Sequence, residues 1–355
     1  MSERVVVAMS GGVDSSVAAA LLVEQGFSVI GVTMRLAGGA SRCCSLEDAE
    51  DARRVADALG IRFYVADYAD AFRREVIEPF ADAYLAGRTP IPCVACNQRF
   101  KFHHLLERAR ALGAESVATG HYARTALDPV SGRRRLLRAS DPGKDQSYFL
   151  FDLDQERLAR ARFPVGELCK DEVRARARAL GLATAEKPES QEICFVPDGD
   201  YAALVERVRP DARPAPGDVV DESGRVLGRH RGVHRYTVGQ RRGLGIPAAQ
   251  RLYVKSIDAS RNELRVASAE ALGASGAELA RVAWIAGDAA PAPVRAWVRV
   301  RHRHAGAAAT IEPHPGARAR VRFDAPVAAV APGQAAVFYD GDCVLGGGWI
   351  EAALA

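Results

Sequence analysis

The first half of the chain alternates between short apolar runs and longer amphipathic stretches. Helical periodicity fills the intervals between the apolar runs, and Gly26, Gly60 and Gly113 follow three of the helical stretches as C-terminal caps do. The alternation predicts an α/β fold, with an open, doubly wound parallel sheet and helices on both of its faces. The predicted strands are 5–9, 28–34, 62–67 and 116–121. The predicted helices are 15–25, 46–59, 71–85 and 98–112.

The second half of the chain has a different pattern. Helical periodicity continues through 154–161 and 170–180 and stops near Gly199, after which short β-like runs are punctuated by glycine and proline. The pattern predicts two small β domains that join near Ser275. The predicted domains are therefore 1–198, 199–275 and 276–355. The β-like runs are 217–220, 225–227, 233–238, 252–257, 263–267, 294–302, 307–311, 319–323, 334–339 and 344–350.

Composition places the chain among globular proteins, with 48% apolar and 26% charged residues in 355. No run of about 20 apolar residues occurs, so no membrane span is expected. The acidic Glu3 and a core strand starting at Val5 do not fit a signal peptide, so we expect a cytoplasmic protein. Seven cysteines, an odd number, favour thiols, metal binding or catalysis over a disulfide framework.

The first predicted strand runs into the loop SGGVDSS at 10–16 and then into an apolar helix. Gly11 and Gly12 allow a ligand to approach the backbone closely, and the N–H groups of the turn and helix start face an anion. The loop lacks the endings of a Walker loop and of a dinucleotide site. Asp14 adds a carboxylate that suits Mg²⁺ held against phosphates. We therefore expect a phosphate or pyrophosphate cradle, the alternative being an ordinary turn with serine caps.

A proline-stiffened loop at 88–97 carries Cys93 and Cys96 at C-x-x-C spacing. Cys96 falls just before the helix predicted from Gln98, where the helix dipole and nearby basic residues favour a reactive thiolate. The spacing alone also fits a structural metal half-site or a redox pair.

Other cysteines are less informative by themselves. Cys194 lies in a polar segment between apolar neighbours, where a lone cysteine is more often a small core residue than a nucleophile. Cys43 and Cys44 are adjacent on a polar loop, which suits metal or persulfide handling but is also compatible with an incidental pair.

Basic residues concentrate in two runs of the predicted β domains. Residues 225–251 contain seven arginines and no acid, and 295–322 contain seven arginines against Glu312. A charge run is usually a solvated face, but two such runs beside a domain with a predicted phosphate cradle favour a polyanion such as RNA. Lys144, in a chain with only five lysines, stands beside Asp145 and Gln146, a group that suits contacts to phosphate and to a base edge.

Six motifs occur in a fixed order along the chain and together resemble the bacterial tRNA-specific 2-thiouridylase family, within the PP-loop superfamily of N-type ATP pyrophosphatases. The resemblance extends nearly end to end. It implies an N-terminal domain like the adenine nucleotide alpha hydrolases, a small central β-rich domain and a C-terminal β-barrel that contacts tRNA. The motifs are SGGVDSS at 10–16, P-x-P-x-x-x-C-N at 90–97, GHYAR at 120–124, KDQSYFL at 144–150, SQEICF at 190–195 and YTVGQRRGLGI at 236–246.

The resemblance implies a tRNA-uridine 2-sulfurtransferase that converts ATP into AMP and pyrophosphate. It would adenylate the C2 oxygen of the wobble uridine in tRNAs of the glutamate, glutamine and lysine types. Cys194 would carry the sulfur as a persulfide received from a sulfur-carrier protein, and Cys96 would be the catalytic nucleophile. A Cys96–Cys194 disulfide is one way in which the intermediate could be resolved.

The resemblance also implies two sets of binding residues. Asp14 would hold Mg²⁺ through ATP, and Met34 would pack on the base. The nucleotide set is Ala8, Met9, Ser10, Gly11, Gly12, Val13, Asp14, Ser15, Met34 and Gly120. The tRNA set is His121, Lys144, Asp145, Gln146, Arg301, His302 and Gln334.

One position departs from the family. Many members have an aspartate three residues before the first catalytic cysteine, and here that position is Cys93. A thiol does not carry an aspartate's charge without strong perturbation. Three alternatives stay open: another group such as His121 serves, Cys93 acts as thiolate or resolving thiol, or Cys93, Cys96 and Cys194 ligate a metal or iron–sulfur cluster. The first is preferred.

Two other functions compete with tRNA thiolation. PP-loop synthetases adenylate small molecules, but they need neither cysteine loops nor basic β domains. A metal-bearing RNA-binding module with a vestigial ATP loop would bind tRNA with a steep salt dependence and release no pyrophosphate. Each alternative leaves some of the motifs unexplained.

Overall fold

A computed structural model of the chain describes residues 2–37, 45–189, 193–196, 198–247, 250–288, 290 and 292–355. Cys43 and Cys44 lie outside the described residues, as do residues 190–192 of the motif around Cys194. The strands are β1 (Arg4–Ala8), β2 (Ser28–Arg35), β3 (Arg62–Asp67), β4 (Ser116–Thr119), β5 (Arg124–Leu127), β6 (Arg134–Leu137), β7 (Ala161–Arg162), β8 (Gly217–Val220), β9 (Val226–His230), β10 (Tyr253–Asp258), β11 (Glu263–Ala267), β12 (Gly273–Trp284), β13 (Val294–Arg299), β14 (Ala307–His314), β15 (Arg318–Ala328), β16 (Ala335–Asp340) and β17 (Cys343–Leu354).

The α-helices are fewer and lie mostly in the first half. They are α1 (Val13–Glu24), α2 (Leu46–Ala58), α3 (Ala69–Phe72), α4 (Glu78–Leu85), α5 (Pro92–Cys96), α6 (Leu105–Ala111), α7 (Gln155–Arg160), α8 (Lys170–Ala179) and α9 (Tyr201–Val208). Two π-helical segments, Arg73–Ile77 and Asn97–His104, join α3 to α4 and α5 to α6. The helical path that carries the C-x-x-C motif therefore begins at Pro92, and the predicted start near Gln98 was wrong.

The parallel sheet predicted for the first half is confirmed. Its order is β3-β2-β1-β4-β7, with β1 paired in parallel to β2 on one side and to β4 on the other. The chain leaves β1 in one direction and returns on the other side with β4, so the two strands flank a topological switch point. Ligands of open α/β sheets bind in the crevice at the carboxyl ends of such strands. The SGGVDSS loop follows β1 and Gly120 follows β4, so both lie at this crevice.

Alternation along β1 explains why helices cover both faces of the sheet. Val5 and Val7 are fully buried in one apolar cluster with Val17 of α1 and Val173 of α8. Val6, between them, is buried in a second cluster on the opposite face, which contains residues of α4 and α6. Successive side chains of a strand point to opposite faces, so a continuous apolar run is required where both faces are covered.

The predicted helix signals are confirmed at α2 and at three glycines. Ser45 accepts a hydrogen bond from the Asp48 backbone N–H at 3.0 Å, and the Asp48 carboxylate accepts one from the Ser45 N–H at 3.1 Å. This capping box stabilises the first turn of α2. Gly26, Gly60 and Gly113 all adopt positive φ angles just past a helix.

The C-terminal barrel is also confirmed. Strands run in the order β12-β15-β14-β13-β16-β17, and β17 pairs with β12 to close the ring. The β5–β6 hairpin, which belongs to the first 198 residues, extends this sheet because β6 pairs with β17. Neither the hairpin nor β12 was predicted, and the domain boundaries at 198 and 275 stay predictions.

The central sheet, in the order β10-β11-β8-β9, contains two departures from the predicted pattern. The run at 233–238 is not a strand: Val233–Arg235 forms a 3₁₀ turn, in which His234 and Arg235 both contact Glu206. Helical structure also does not stop at Gly199, because α9 follows it. Tyr201 of α9 stacks on Tyr84 of α4 with ring centroids 4.4 Å apart. These tertiary contacts override a weak local pattern.

Polar contacts join the barrel to the loops of the parallel sheet, and three of them involve predicted tRNA-binding residues. Asp145 and Arg299 form a buried ion pair at 3.1 Å, with side chains only 4% and 13% exposed. His302 Nε2 donates to the carbonyl oxygen of Asp145 at 3.2 Å. Gln334 Nε2 donates to the carbonyl oxygen of Thr89 at 3.1 Å. The barrel is thus fixed directly to the segments that carry KDQSYFL and the C-x-x-C motif.

We expect Arg299→Ala to lower the free energy of unfolding by about 3–5 kcal/mol, because it leaves the Asp145 carboxylate buried without its cation. Arg295→Ala on the same strand is the matched control, since the Arg295–Asp324 pair is 61% and 49% exposed. The control should change the stability little, because solvent screens an exposed ion pair. Chemical denaturation of both variants measures the difference, and equal losses would contradict the structural role of the buried pair.

Candidate functional site

A cavity of about 340 Å³ opens at the switch point of the parallel sheet. Apart from Gly11, every residue of the predicted nucleotide set lines this cavity. These residues are Ala8, Met9, Ser10, Gly12, Val13, Asp14, Ser15, Met34 and Gly120. The sequence prediction of a ligand crevice and the cavity therefore coincide.

Gly11 does not line the cavity because it turns toward α2. Its φ is +71°, and a Cβ added there would lie 2.2 Å from the Asp48 carbonyl oxygen. Only glycine fits this position without moving the first turn of α2. Gly11 thus shapes the loop, while its neighbours face the cavity.

The SGGVDSS loop leaves backbone donors free for an anion. Gly12 is the N-cap of α1 and supplies no side-chain cap, and the hydroxyls of Ser15 and Ser16 donate to the Gly12 carbonyl at 3.0 and 2.9 Å. The first N–H groups of a helix have no intrahelical acceptor, and the helix dipole there is positive. The start of α1 is therefore an anion site with serine hydroxyls beside it.

Lysines supply the positive charge of the cavity. Of the five lysines in the chain, Lys101, Lys144, Lys170 and Lys187 line it, and no arginine does so in the described part of the chain. Sequence analysis identified only Lys144. The rarity of lysine among 48 basic residues is the sequence signal that could have identified the other three.

Carboxylates hold these lysines in place. Lys170 Nζ lies 2.7 and 2.9 Å from the two Asp14 oxygens and 3.0 Å from Glu189 Oε1. Lys144 Nζ donates to Glu189 Oε2 at 2.7 Å. Burial alone would raise the pKa of Glu189, but the hydrogen bonds from Lys144 and Lys170 hold that pKa below its usual value. The hydroxyl of Tyr122 donates to Asp14 at 2.7 Å and completes the group.

His121 is a buried, neutral imidazole at the end of β4. Burial, with a smaller contribution from the charge of Lys101, lowers its pKa well below 6.5. Lys101 Nζ lies 3.3 Å from Nε2, and Thr119 Oγ1 lies 2.7 Å from Nδ1. Because an ammonium group only donates, Nε2 accepts and the ring proton is assigned to Nδ1. His121 is therefore suited to hydrogen bonding rather than to carrying charge.

The two predicted catalytic cysteines pack against one apolar cluster although they are distant in sequence. Cys96 and Cys194 are half-buried and pack against the same apolar cluster on one face of the parallel sheet. Phe195, next to Cys194, is anchored in this cluster by edge contacts with Phe72 and Phe80 at 5.7 and 5.2 Å. The cluster includes Met34 and Leu36, which also line the cavity, and Ala8 lies against both.

Cys93 is exposed on the first turn of α5, three residues before Cys96. Positions three apart on a helix are neighbours, so both side chains lie toward one side of α5. Within the described residues, the side-chain group spaced to hold a metal is His103, His104 and Glu107, not the cysteines. The iron–sulfur alternative stays a prediction.

The predicted tRNA residues form two groups of three, and Arg301 stands apart from both. His121, Lys144 and Gln146 line the cavity, and Gln146 Oε1 accepts from the Tyr122 N–H at 3.0 Å. Asp145, His302 and Gln334 form the barrel contacts described above. Arg301 is exposed and donates to the Ala328 carbonyl at 3.3 Å.

Three family models match the chain in succession. They are the tRNA methyl transferase HUP domain at residues 3–198, the tRNA methyl transferase PRC-barrel domain at 206–268 and the aminomethyltransferase beta-barrel domain at 275–350. The fold and the family models thus define a protein of the PP-loop class with a small central β domain and a C-terminal barrel. No helix in the described ranges is long and apolar enough to cross a membrane.

Relatives match almost end to end. The tRNA-specific 2-thiouridylase MnmA of Geotalea uraniireducens is 52% identical, over 99% of this chain and 96% of its own. Those of Geobacter metallireducens and Rhodospirillum rubrum are 52% and 53% identical, over 99% and 98% of this chain and 98% and 96% of theirs. The chain belongs to the tRNA-specific 2-thiouridylase family. Among solved structures, a 4-thiouridine synthetase–RNA complex with bound ATP matches 59% of this chain and 51% of its own, at 18% identity and a TM-score of 0.40.

We expect Gly120→Ala to weaken ATP binding at least tenfold, or about 1.4 kcal/mol. An added Cβ would lie 2.6 Å from the Ser15 backbone nitrogen and would push the two loops of the cavity apart. Gly228→Ala is the control, because its Cβ would meet only Ile246 at 3.6 Å. Calorimetric titration with ATP measures both, and unchanged affinity in Gly120→Ala would contradict the close approach.

We expect Lys101→Met to raise the pKa of His121, because it removes a cation that disfavours the imidazolium form. Burial remains in the variant, so the pKa should stay below 6.5. An NMR titration of the His121 ring proton measures the shift. A pKa that falls or does not move would show that Lys101 is not the charge that acts on this ring.

Proposed function

We propose that the protein catalyses the ATP-dependent 2-thiolation of the wobble uridine of tRNA, in tRNAs of the glutamate, glutamine and lysine types. The observation that carries the proposal is that Cys96 and Cys194 both pack against one apolar cluster, which shares Met34 and Leu36 with the predicted phosphate-binding cavity. This shared cluster supports an activating half and a sulfur-bearing half on the same side of the parallel sheet. The names of the relatives support the same activity, and we propose a cytoplasmic location, where tRNA and ATP are available.

Activation is the first half of the reaction. The C2 carbonyl of uridine is a poor electrophile, and its oxygen is a poor leaving group. Attack of that oxygen on the α-phosphorus of ATP forms a new P–O bond, breaks the bond to the β-phosphate and releases pyrophosphate. The N–H groups at the start of α1 and the cavity lysines are placed to stabilise the phosphate charge.

Asp14 and Glu189 line the cavity with carboxylate oxygens, which are ligands that Mg²⁺ accepts. Such an ion would neutralise phosphate charge when it enters with ATP. We propose Asp14 as the residue that faces it.

Sulfur transfer is the second half. A sulfur-carrier protein loads Cys194 as a persulfide, and the terminal sulfur attacks C2 and expels AMP. The Cys96 thiolate then attacks the Cys194 sulfur, breaks the S–S bond and leaves the transferred sulfur on C2. Alternatively, Cys96 attacks first and releases hydrosulfide, which attacks C2. Both routes end in a Cys96–Cys194 disulfide, and a thiol reductant supplies the two electrons that restore the enzyme.

Two features bear on the missing aspartate at Cys93. The pKa of His121 lies well below 6.5, so this imidazole is a weak base at neutral pH. The Cys93 thiol is exposed beside Cys96 and is accessible to a thiolate or resolving role. We keep another group, including substrate phosphate, as the preferred replacement for the aspartate.

The tRNA contacts stay part of the proposal. His121, Lys144 and Gln146 would meet the base and its neighbouring phosphates, because they line the cavity. Arg301 would contact the tRNA from the barrel, where its side chain is exposed.

We expect Cys194→Ser to abolish 2-thiouridine formation but to retain pyrophosphate release in the presence of ATP and the substrate tRNA. The serine removes the persulfide carrier and leaves the phosphate cavity intact. Cys96→Ser should likewise lose thiolation, whereas Cys343→Ser in β17 is the matched control and should keep it. Nucleoside mass spectrometry and a pyrophosphate assay measure the two halves. Thiolation by Cys194→Ser at the unaltered rate would contradict the assigned sulfur path.

A further inference from the structure

Within the described residues, three of the cavity lysines form ion pairs, and Lys170 is the most buried of the three. Its side chain is 9% exposed, compared with 35% for Lys144 and 27% for Lys187. It is the first residue of α8, where the helix dipole disfavours a cation. Burial and the dipole both oppose the charge, so α8 itself gives no reason for a lysine here. The reason lies in what the ammonium group contacts.

Every polar partner of the Lys170 ammonium group belongs to the cavity. Asp14 contacts it through both oxygens, at 2.7 and 2.9 Å, and Asp14 is part of the phosphate loop itself. Glu189 contacts it at 3.0 Å and also accepts from Lys144 at 2.7 Å. The Tyr122 ring lies beneath the ammonium group, with its centroid 5.7 Å away. Because the Lys170 ammonium group contacts Asp14 of the SGGVDSS loop, a change in its side-chain conformation is enough to bring it to a phosphate bound at that loop.

The charges of the cavity wall favour an exchange in which the lysine ammonium groups leave carboxylates and contact phosphates. Four lysines line the wall with the carboxylates of Asp14, Asp48 and Glu189. A polyanion that enters this wall is repelled by the carboxylates and attracted by the ammonium groups. Lysine suits such an exchange better than arginine, because its compact charge and flexible stem impose no planar two-point geometry.

We propose that Lys170, together with Lys144, exchanges carboxylate for phosphate when ATP binds. Its ammonium group leaves Asp14 and Glu189 and contacts the β- and γ-phosphates, the part of ATP that departs as pyrophosphate. Lys170 is thereby a catalytic residue of the adenylation step, because it stabilises charge that grows on the leaving group. The two carboxylates are released at the same time and become free to face a divalent cation. This inference rests on the proposed use of ATP and not on the sulfur transfer.

The test is binding of inorganic pyrophosphate, ATP and AMP without tRNA, followed by titration calorimetry. Lys170→Met removes the charge and keeps the stem, so it should weaken pyrophosphate and ATP at least tenfold and AMP by less than twofold. Lys255→Met is the matched control, because Lys255 pairs with Glu222 at 2.6 Å in the central domain and lines no part of the cavity. The control should bind all three ligands as the unmodified protein does.

Glu189→Gln distinguishes an exchanging lysine from a purely structural ion pair. It removes a competitor for the ammonium groups, so it should tighten pyrophosphate binding at least threefold in the absence of Mg²⁺. Lost repulsion alone would give the same gain in the Lys170→Met background, whereas an exchange predicts a smaller gain there. Where Lys170→Met fails to fold, the double variant Lys170→Met with Glu189→Gln keeps the charge balance, and Lys170→Arg tests the charge alone.

The outcomes separate this inference from the proposed function. A folded Lys170→Met variant, single or double, that binds pyrophosphate and ATP within twofold of the unmodified protein overturns the inference, whatever happens to thiolation. If Lys170→Met loses pyrophosphate affinity and the unmodified protein does not thiolate tRNA, the inference is upheld and the proposed function is refuted.

Discussion

The close approach of two backbone loops at the carboxyl ends of β1 and β4 is the constraint on which the site depends. A Cβ at Gly120 would lie 2.6 Å from the Ser15 nitrogen and 2.7 Å from the Asp14 carbonyl carbon, so the loops touch through bare backbone. This contact brings the start of α1 beside the segment that follows β4. His121 and Tyr122 then reach the cavity from the same segment. The predicted phosphate site and its polar wall are therefore formed by the segments that follow β1 and β4. These strands are distant in sequence and become neighbours through the strand order of the sheet.

The KDQSYFL segment transmits that arrangement to the rest of the molecule. Lys144 and Gln146 face the cavity, whereas Asp145 between them turns into the buried pair with Arg299 of the barrel. Phe149 accepts a hydrogen bond through its carbonyl from Asn97 at 3.1 Å, one residue after Cys96. One short loop therefore contacts the nucleotide cavity, the barrel and the cysteine helix. The position of the barrel and the position of Cys96 are set by the same few hydrogen bonds.

Local sequence patterns predicted the features of the fold that depend on interactions between residues close in sequence. The apolar run of β1, the Ser45 capping box and the SGGVDSS loop were identified because periodicity, capping and glycine freedom act over a few residues. The pairing of β6 with β17 and the convergence of Lys170 on Asp14 were not predicted, since they join segments far apart in sequence. The helix α9 was missed as well, and its Tyr201 packs on the distant Tyr84. The 233–238 run was wrong for the same reason, because contacts with Glu206 favour a turn there. The roles of the site residues stay predictions.

The geometry restricts where a reacting uridine can lie. In the proposed reaction the C2 oxygen must meet the α-phosphate, whose neighbours would occupy the anion site at the start of α1, while the C2 carbon must meet the sulfur that we assign to Cys194. The surface common to both requirements is the wall formed by Ala8, Met34 and Leu36, which belongs to the cavity and to the cysteine cluster alike. This wall is apolar and suits the face of an unstacked base rather than a ribose or phosphate. We therefore place the base of the proposed reaction against this wall, which it reaches only after it has left the anticodon stack.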